Sequence, residues 1–140
     1  MPDILAPDLT LTIAESQAPN RWLFEREKLR LFRTFSFVGS GGTIAGAEGT
    51  LSTQFGNTYA IRIGLKNYPF EKPTVRPKDW TIHPNAPHHF LDDGSICIMR
   101  ADQWRRIYTV ALVVAKTALW LGKYEIWKRE QYWPGLGQSH

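Results

Sequence analysis

Hydrophobic and polar positions along the middle of the chain follow the two-residue period of β-strands. In the segment from Asn57 to Leu65, apolar residues partly alternate with others, as expected of a strand that is buried on one face. The pattern predicts three strands, over Phe32–Val38, Thr43–Thr53 and Asn57–Leu65, with a short fourth at Thr74–Arg76. Glycine-containing turns at 40–42 and 55–57 separate them, and loops this short favour an antiparallel meander.

Two other segments show the period of an α-helix. The clearer one is predicted from Thr109 to about Tyr132, where apolar residues recur at helical spacing before Pro134. A first helix is predicted from about Arg21 to Leu31, with Asn20 as its cap. Before it, Leu9, Leu11 and Ile13 alternate, which is typical of either a short strand or an extended arm over residues 1–19.

Length and composition add limits to this α+β pattern. A chain of 140 residues is expected to form one domain, residues 1–140, with a core large enough to need no disulfide or metal. One cysteine cannot close an intramolecular disulfide. No signal-like or membrane-spanning apolar run is found, so a cytoplasmic setting is expected. The net charge of +4 fits either a solvated surface or an acidic partner, and no nucleic-acid-binding motif accompanies it.

The residues that carry chemistry cluster around Cys97. Asp93-Gly94 predicts a tight turn just before it, and the flanking isoleucines, Ile96 and Ile98, would anchor the backbone. The expectation is a rigid, partly exposed thiol at the mouth of a cleft. Three other uses remain open: a zinc site with the nearby histidines, a Cys–His hydrolase, and a buried small hydrophobic residue.

Four sequence motifs follow one another between Tyr68 and Trp104, and Cys97 lies in the third. Tyr68-Pro69-Phe70-x-x-Pro73 precedes a loop rich in His, Pro and Asn; Gly94-Ser95-Ile96-Cys97 and Trp104 follow. This order resembles that of the ubiquitin-conjugating enzymes over roughly residues 21–133. The resemblance implies a ubiquitin-conjugating-like fold: an N-terminal helix, a four-stranded antiparallel meander, an active-site loop and a long C-terminal helix. It also implies a thioester on Cys97 and no cofactor.

The C-terminal helix is similar to that of the bacterial branch of this family in antiphage (CBASS-like) cassettes. The residues that carry this similarity are Thr117-Ala118-x-Trp120-Leu121 and Tyr124-Glu125-Ile126-Trp127. By resemblance, the acyl donor would be a protein with a free C-terminus, either a cGAS-like nucleotidyltransferase or a ubiquitin-like protein, with an adenylating enzyme as a further partner. The alternative is a catalytically silent protein of the same fold that acts as a scaffold.

The resemblance also assigns roles to other side chains. His89 stands eight residues before the cysteine, where the eukaryotic family has an asparagine that stabilises the oxyanion, so His89 is expected to serve that role, with stabilisation of the loop as the alternative. The docking face for an adenylating partner would lie on the first helix, with an ordinary solvated basic face as the alternative. Its residues are Arg21, Arg26, Lys28 and Arg30. The acidic residues that could steer an incoming lysine, or simply form turns, are Asp92, Asp93 and Asp102.

Overall fold

In the computed structural model, which describes residues 9–90 and 92–135, a four-stranded antiparallel sheet packs against one long helix. The strands follow one another in chain order, β1-β2-β3-β4. The elements are α1 (Ile13–Gln17), α2 (Arg21–Leu29), β1 (Ser36–Ser40), β2 (Thr43–Ser52), β3 (Thr58–Gly64), β4 (Thr74–Pro77) and α3 (Val110–Glu130). The α+β fold expected from the sequence is confirmed.

The core forms because β3 and α3 bury their aliphatic side chains against each other. On β3, Ile61 and Ile63 are fully buried while Arg62 between them is exposed, as the two-residue period requires. On α3, Val110 and Val113 are also fully buried in the same cluster. Each such side chain contributes about 1.5–3 kcal/mol relative to an exposed one, so this layer fixes the sheet and helix as one unit.

The segment before α2 is neither a strand nor a free arm within the described residues. Leu9 and Leu11 are buried, and Leu9 accepts a hydrogen bond from the hydroxyl of Thr109, the cap of α3, at 2.7 Å. A capping box between Thr12 and Glu15 starts the short helix α1, which leaves Ile13 exposed. Residues 1–8 of the expected arm lie outside the described residues.

The long connection between β4 and α3 carries the candidate site. Its described residues, 78–90 and 92–109, form no regular strand or α-helix; a 3-10 turn at Ala101–Gln103 and isolated bridges give them order. The indole of Trp104 donates to the carbonyl oxygen of Pro69 at 2.8 Å, and its ring packs against Tyr68. The Tyr68–Pro73 segment is thereby held against the base of the loop that contains Cys97.

Candidate active site

A narrow hairpin of the connecting loop holds Cys97 in place. His89 forms an antiparallel bridge with Ile96, and the amide of Cys97 donates to the carbonyl oxygen of His88 at 3.1 Å. At the tip, Gly94 adopts a positive φ of 71°, and Asp93 accepts hydrogen bonds from both the amide and the hydroxyl of Ser95. The Asp-Gly pair therefore makes the turn that the sequence predicts, and these bonds hold the pKa of Asp93 below its usual value.

The thiol is more deeply placed than the sequence analysis expects. Cys97 is 1% exposed and lies within a run of buried residues from Ser95 to Met99. The expectation of partial exposure is wrong, because the backbone amide of Ile96 donates a hydrogen bond to the carbonyl oxygen of Val75 on β4 at 2.8 Å, which draws the neighbouring residues into the core. Burial raises the pKa of Cys97, since a thiolate loses hydration there.

Lys72 approaches the thiol from the segment between β3 and β4. Its ammonium donates to the carbonyl oxygen of Met99 at 2.9 Å, and the same oxygen accepts the thiol of Cys97 at 3.7 Å. The positive charge lowers the pKa of Cys97 and so opposes the effect of burial. No local pattern in the sequence indicates this contact, because Lys72 and Cys97 are 25 residues apart.

His89 is half-buried, and its Nδ1 atom is buried without a hydrogen-bond partner. Its ring lines a groove of about 300 Å³, together with Arg76, Trp80 and Asp93. Cys97 is not among the described residues that line this groove. The hairpin thus brings the two residues onto adjacent segments, but their side chains do not share the groove in this conformation.

Arg21 does not belong to an exposed docking face. It is 6% exposed, and its five N–H groups are all used: the partners are Glu25, Tyr68 and the carbonyl oxygens of Ser16, Arg106 and Tyr108. Glu25 is fully buried beside it and also accepts from the amide of Val110 at 3.0 Å. Arg21 therefore joins α2 to the start of α3, and its expected role in docking is corrected to a structural one.

The other basic residues of α2 lie at or near the surface. Arg26 and Arg30 are exposed and Lys28 is half-exposed, and Arg30 pairs with Glu27 at 3.1 Å. Arg26 and Arg30 also line a groove of about 480 Å³ between α2 and β1, whose floor includes aromatic rings. The remaining lining residues are Leu29, Phe32, Arg33, Phe35, Ser36 and Phe37.

The other two histidines of the loop and the candidate acidic residues Asp92 and Asp102 are dispersed. His83 is exposed and packs on Trp127, whereas His88 packs on Trp133. Asp92 is exposed, and Asp102 forms an ion pair with Arg100 at the start of the 3-10 turn. Within residues 9–90 and 92–135, no group of three or more His, Cys, Asp or Glu side chains is placed to hold a metal ion.

Fold and site together define a class of protein. A helix, a four-stranded antiparallel meander, a loop with the only cysteine and a long closing helix make an E2-like domain of the ubiquitin-conjugating type. The family model E2-CBASS, described as Type II CBASS E2 protein, matches residues 9–140. The chain belongs to this family, which gives it a bacterial antiphage context and protein partners within the CBASS pathway. None of the described helices has the length and apolarity needed to span a bilayer.

Proposed function

We propose that the protein is an acyl carrier: Cys97 receives the C-terminal acyl group of a partner protein as a thioester and passes it to an amine. The observation that carries the proposal is the position of the only thiol. It lies in the loop between β4 and α3 of an E2-family chain. The thiol and the ammonium group of Lys72 both donate hydrogen bonds to the carbonyl oxygen of Met99. A thiolate attacks an activated acyl group readily, and the thioester stays reactive towards amines.

The buried thiol requires that the hairpin opens before acylation. The tip of the hairpin, 92–94, is exposed, and backbone hydrogen bonds join its arms to each other and to the sheet: Phe90 donates to Ser95 and Gly94 to Phe90, both at 2.9 Å, Cys97 donates to His88, and Ile96 donates to Val75. Segments of a protein can open locally at a free-energy cost below that of global unfolding. The proposed opening breaks these bonds and exposes the sulfur while the rest of the sheet and α3 stay folded.

His89 is the proposed oxyanion donor. Support comes from its unpartnered Nδ1 atom, since a nitrogen already used in a structural bond would not be available. Rearrangement of the hairpin would have to bring the ring to the thioester carbonyl. One oxyanion donor is typically worth about 2.7–4 kcal/mol of transition-state stabilisation.

The partner surface is proposed to lie on α2 and its groove towards β1. Arg26, Lys28 and Arg30 form the docking face, and an adenylating enzyme is the proposed occupant. The acyl donor is proposed to be a cGAS-like nucleotidyltransferase or a ubiquitin-like protein. Support comes from exposure and charge: Arg26 and Arg33 carry no ion pair within the described part of the chain, so both can pair with acidic groups.

The test is expression of the protein together with its genomic neighbours, followed by intact-mass measurement. The expected result is an added mass that reducing agent removes from the wild type. Cys97→Ser should give either a more stable ester or no adduct. An adduct of unchanged amount and lability in Cys97→Ser would contradict the proposal.

A catalytically silent scaffold is the second candidate, and the burial of Cys97 favours it. A thiol that is 1% exposed with a raised pKa is a weak nucleophile in this conformation. The two candidates differ in one readout: a scaffold would bind its partners without any adduct on Cys97. Co-purification of partners with an unmodified Cys97, under conditions that preserve thioesters, would support the scaffold.

A further inference from the structure

Among the lysines that the structure describes, Lys72 is the one whose side chain meets Cys97 at a shared hydrogen-bond acceptor. The Nζ atom and the Sγ atom both contact the carbonyl oxygen of Met99, at 2.9 and 3.7 Å. The same ammonium group also lies over the ring of Phe90, 5.6 Å from its centroid. The amine is thus held beside the sulfur by a fixed backbone atom rather than by a flexible surface contact.

We infer that Lys72 is an acceptor amine for the acyl group carried by Cys97, so that the protein can attach its cargo to itself. The inference rests on the proposed function, because it needs a thioester on Cys97. It goes further in naming the acceptor and in giving the product, an amide on this same chain.

The step is an S-to-N acyl shift. Lys72 first loses a proton to water, and the lone pair of its neutral amine attacks the thioester carbonyl carbon. The new C–N bond forms as the C–S bond breaks, the sulfur leaves as the thiolate of Cys97, and the second proton of the amine passes to that thiolate or to solvent. The products are a secondary amide on Lys72 and a free thiol on Cys97, and no cofactor or redox partner is needed.

Proximity makes this step fast relative to attack by a free amine. Reacting groups held in one molecule behave as if one were present at about 10⁵–10⁸ M when they are well oriented. Once the hairpin has opened and Cys97 has been acylated, Lys72 must release the Met99 carbonyl and rotate its flexible side chain towards the carbonyl attached to the sulfur. Lys66 offers a matched comparison, since it is exposed two residues beyond the end of β3 and forms no hydrogen bond or ion pair with the described residues of the site.

The experiment uses a small acyl donor, so that no partner protein is required. The whole chain is incubated with an N-acetylglycyl alkyl thioester, which exchanges with the thiol and loads Cys97. Intact mass before and after neutral hydroxylamine separates thioester, which is cleaved, from amide, which is not. Peptide mapping then locates the amide. Wild type, Lys72→Arg, Lys66→Arg and Cys97→Ala are compared, each checked by circular dichroism.

In the wild type, the thioester should decay into a hydroxylamine-resistant adduct on Lys72, at least about tenfold more than on Lys66. The conversion should accelerate as pH rises, because the attacking amine must be neutral. Lys72→Arg keeps the charge but offers no comparable nucleophile, so its thioester should persist, whereas Lys66→Arg should behave as the wild type. Cys97→Ala should lose the Lys72 adduct, because direct acylation would lack the intramolecular advantage.

Two results would overturn the inference while leaving the carrier proposal intact. One is a thioester on Cys97 that decays equally slowly in the wild type and in Lys72→Arg. The other is equal labelling of Lys72 with and without Cys97. A native wild-type protein in which Cys97 never forms a thioester would instead overturn the carrier proposal, and this inference with it.

Discussion

Two buried polar regions of the molecule differ in how fully their groups are paired. Between α2 and α3, Arg21 uses all its N–H groups, and both carboxylate oxygens of the fully buried Glu25 accept hydrogen bonds. In the hairpin near Cys97, the Nδ1 atom of His89 is buried without a hydrogen-bond partner, while the thiol donates to the carbonyl oxygen of Met99 at 3.7 Å.

The difference distinguishes a structural cluster of polar groups from the proposed active site. Groups that are fully paired gain nothing from moving, so the Arg21–Glu25 cluster fixes the positions of the helices. A buried nitrogen without a hydrogen-bond partner, such as Nδ1 of His89, retains bonding capacity for a substrate or transition state. From the sequence alone, Arg21 is expected on an exposed docking face rather than in a buried structural cluster.

The largest expected effect is a loss of stability when the Arg21–Glu25 cluster is disrupted. Glu25→Ala should lower the free energy of unfolding by about 3–5 kcal/mol, because it leaves the guanidinium of Arg21 buried without its carboxylate. Urea denaturation measures the change. Glu27→Ala is the matched control, since Glu27 forms an exposed ion pair with Arg30 and should contribute about 0–1 kcal/mol. Equal losses in the two variants would show that the buried cluster is no more structural than a surface pair.

The second-largest expected effect is on the rate of acyl transfer rather than on the stability of the fold. His89→Ala should slow transfer from a preformed Cys97 thioester to a free amine by about 10²–10³-fold, because it removes a proposed oxyanion donor. Its free energy of unfolding should change little, because Nδ1 makes no hydrogen bond. Single-turnover decay of the thioester gives the rate. His89→Asn should restore part of it, and His83→Ala should have no effect; an unchanged rate in His89→Ala would remove His89 from the mechanism.

The smallest effect is on the ionisation of the thiol. The Lys72 ammonium favours the thiolate and lowers the pKa of Cys97, so Lys72→Gln should raise that pKa further. At any pH below the pKa, less thiolate is then present and alkylation by iodoacetamide becomes slower. The pH profile of alkylation measures the shift, and Lys72→Arg should stay close to the wild type. A Lys72→Gln profile that does not move would show that the ammonium does not influence the thiol.

Much of the fold could be predicted because hydrophobic periods report burial directly. The β2, β3 and α3 segments are found within one or two residues of their predicted limits. The short helix α1 is not predicted even though Thr12 and Glu15 have the spacing of a capping box, because the alternation of Leu9, Leu11 and Ile13 is typical of a strand or an extended arm.

The site was harder to predict because its features depend on tertiary contacts. Arg21 and Glu25 share a helix face with the buried Leu29, and this spacing of four residues was the available signal that the pair faces inward. The run Ile96-Cys97-Ile98-Met99 is wholly apolar, which indicates burial more strongly than exposure. The proximity of Lys72 to Cys97 arises only when β4 and the hairpin pack together, so no sequence pattern reports it.

The most direct test of the carrier account is whether the buried sulfur can be reached while the rest of the protein stays folded. Alkylation of Cys97 by iodoacetamide is followed in the native protein as urea is raised towards, but not into, the unfolding transition. Access by local opening of the hairpin predicts a rate nearly independent of urea and little changed in Glu25→Ala. The contradicting result is an alkylation rate that rises in proportion to the population of globally unfolded protein, both with increasing urea and in Glu25→Ala. Reagent would then reach the thiol only in the unfolded chain, and the carrier account would be wrong.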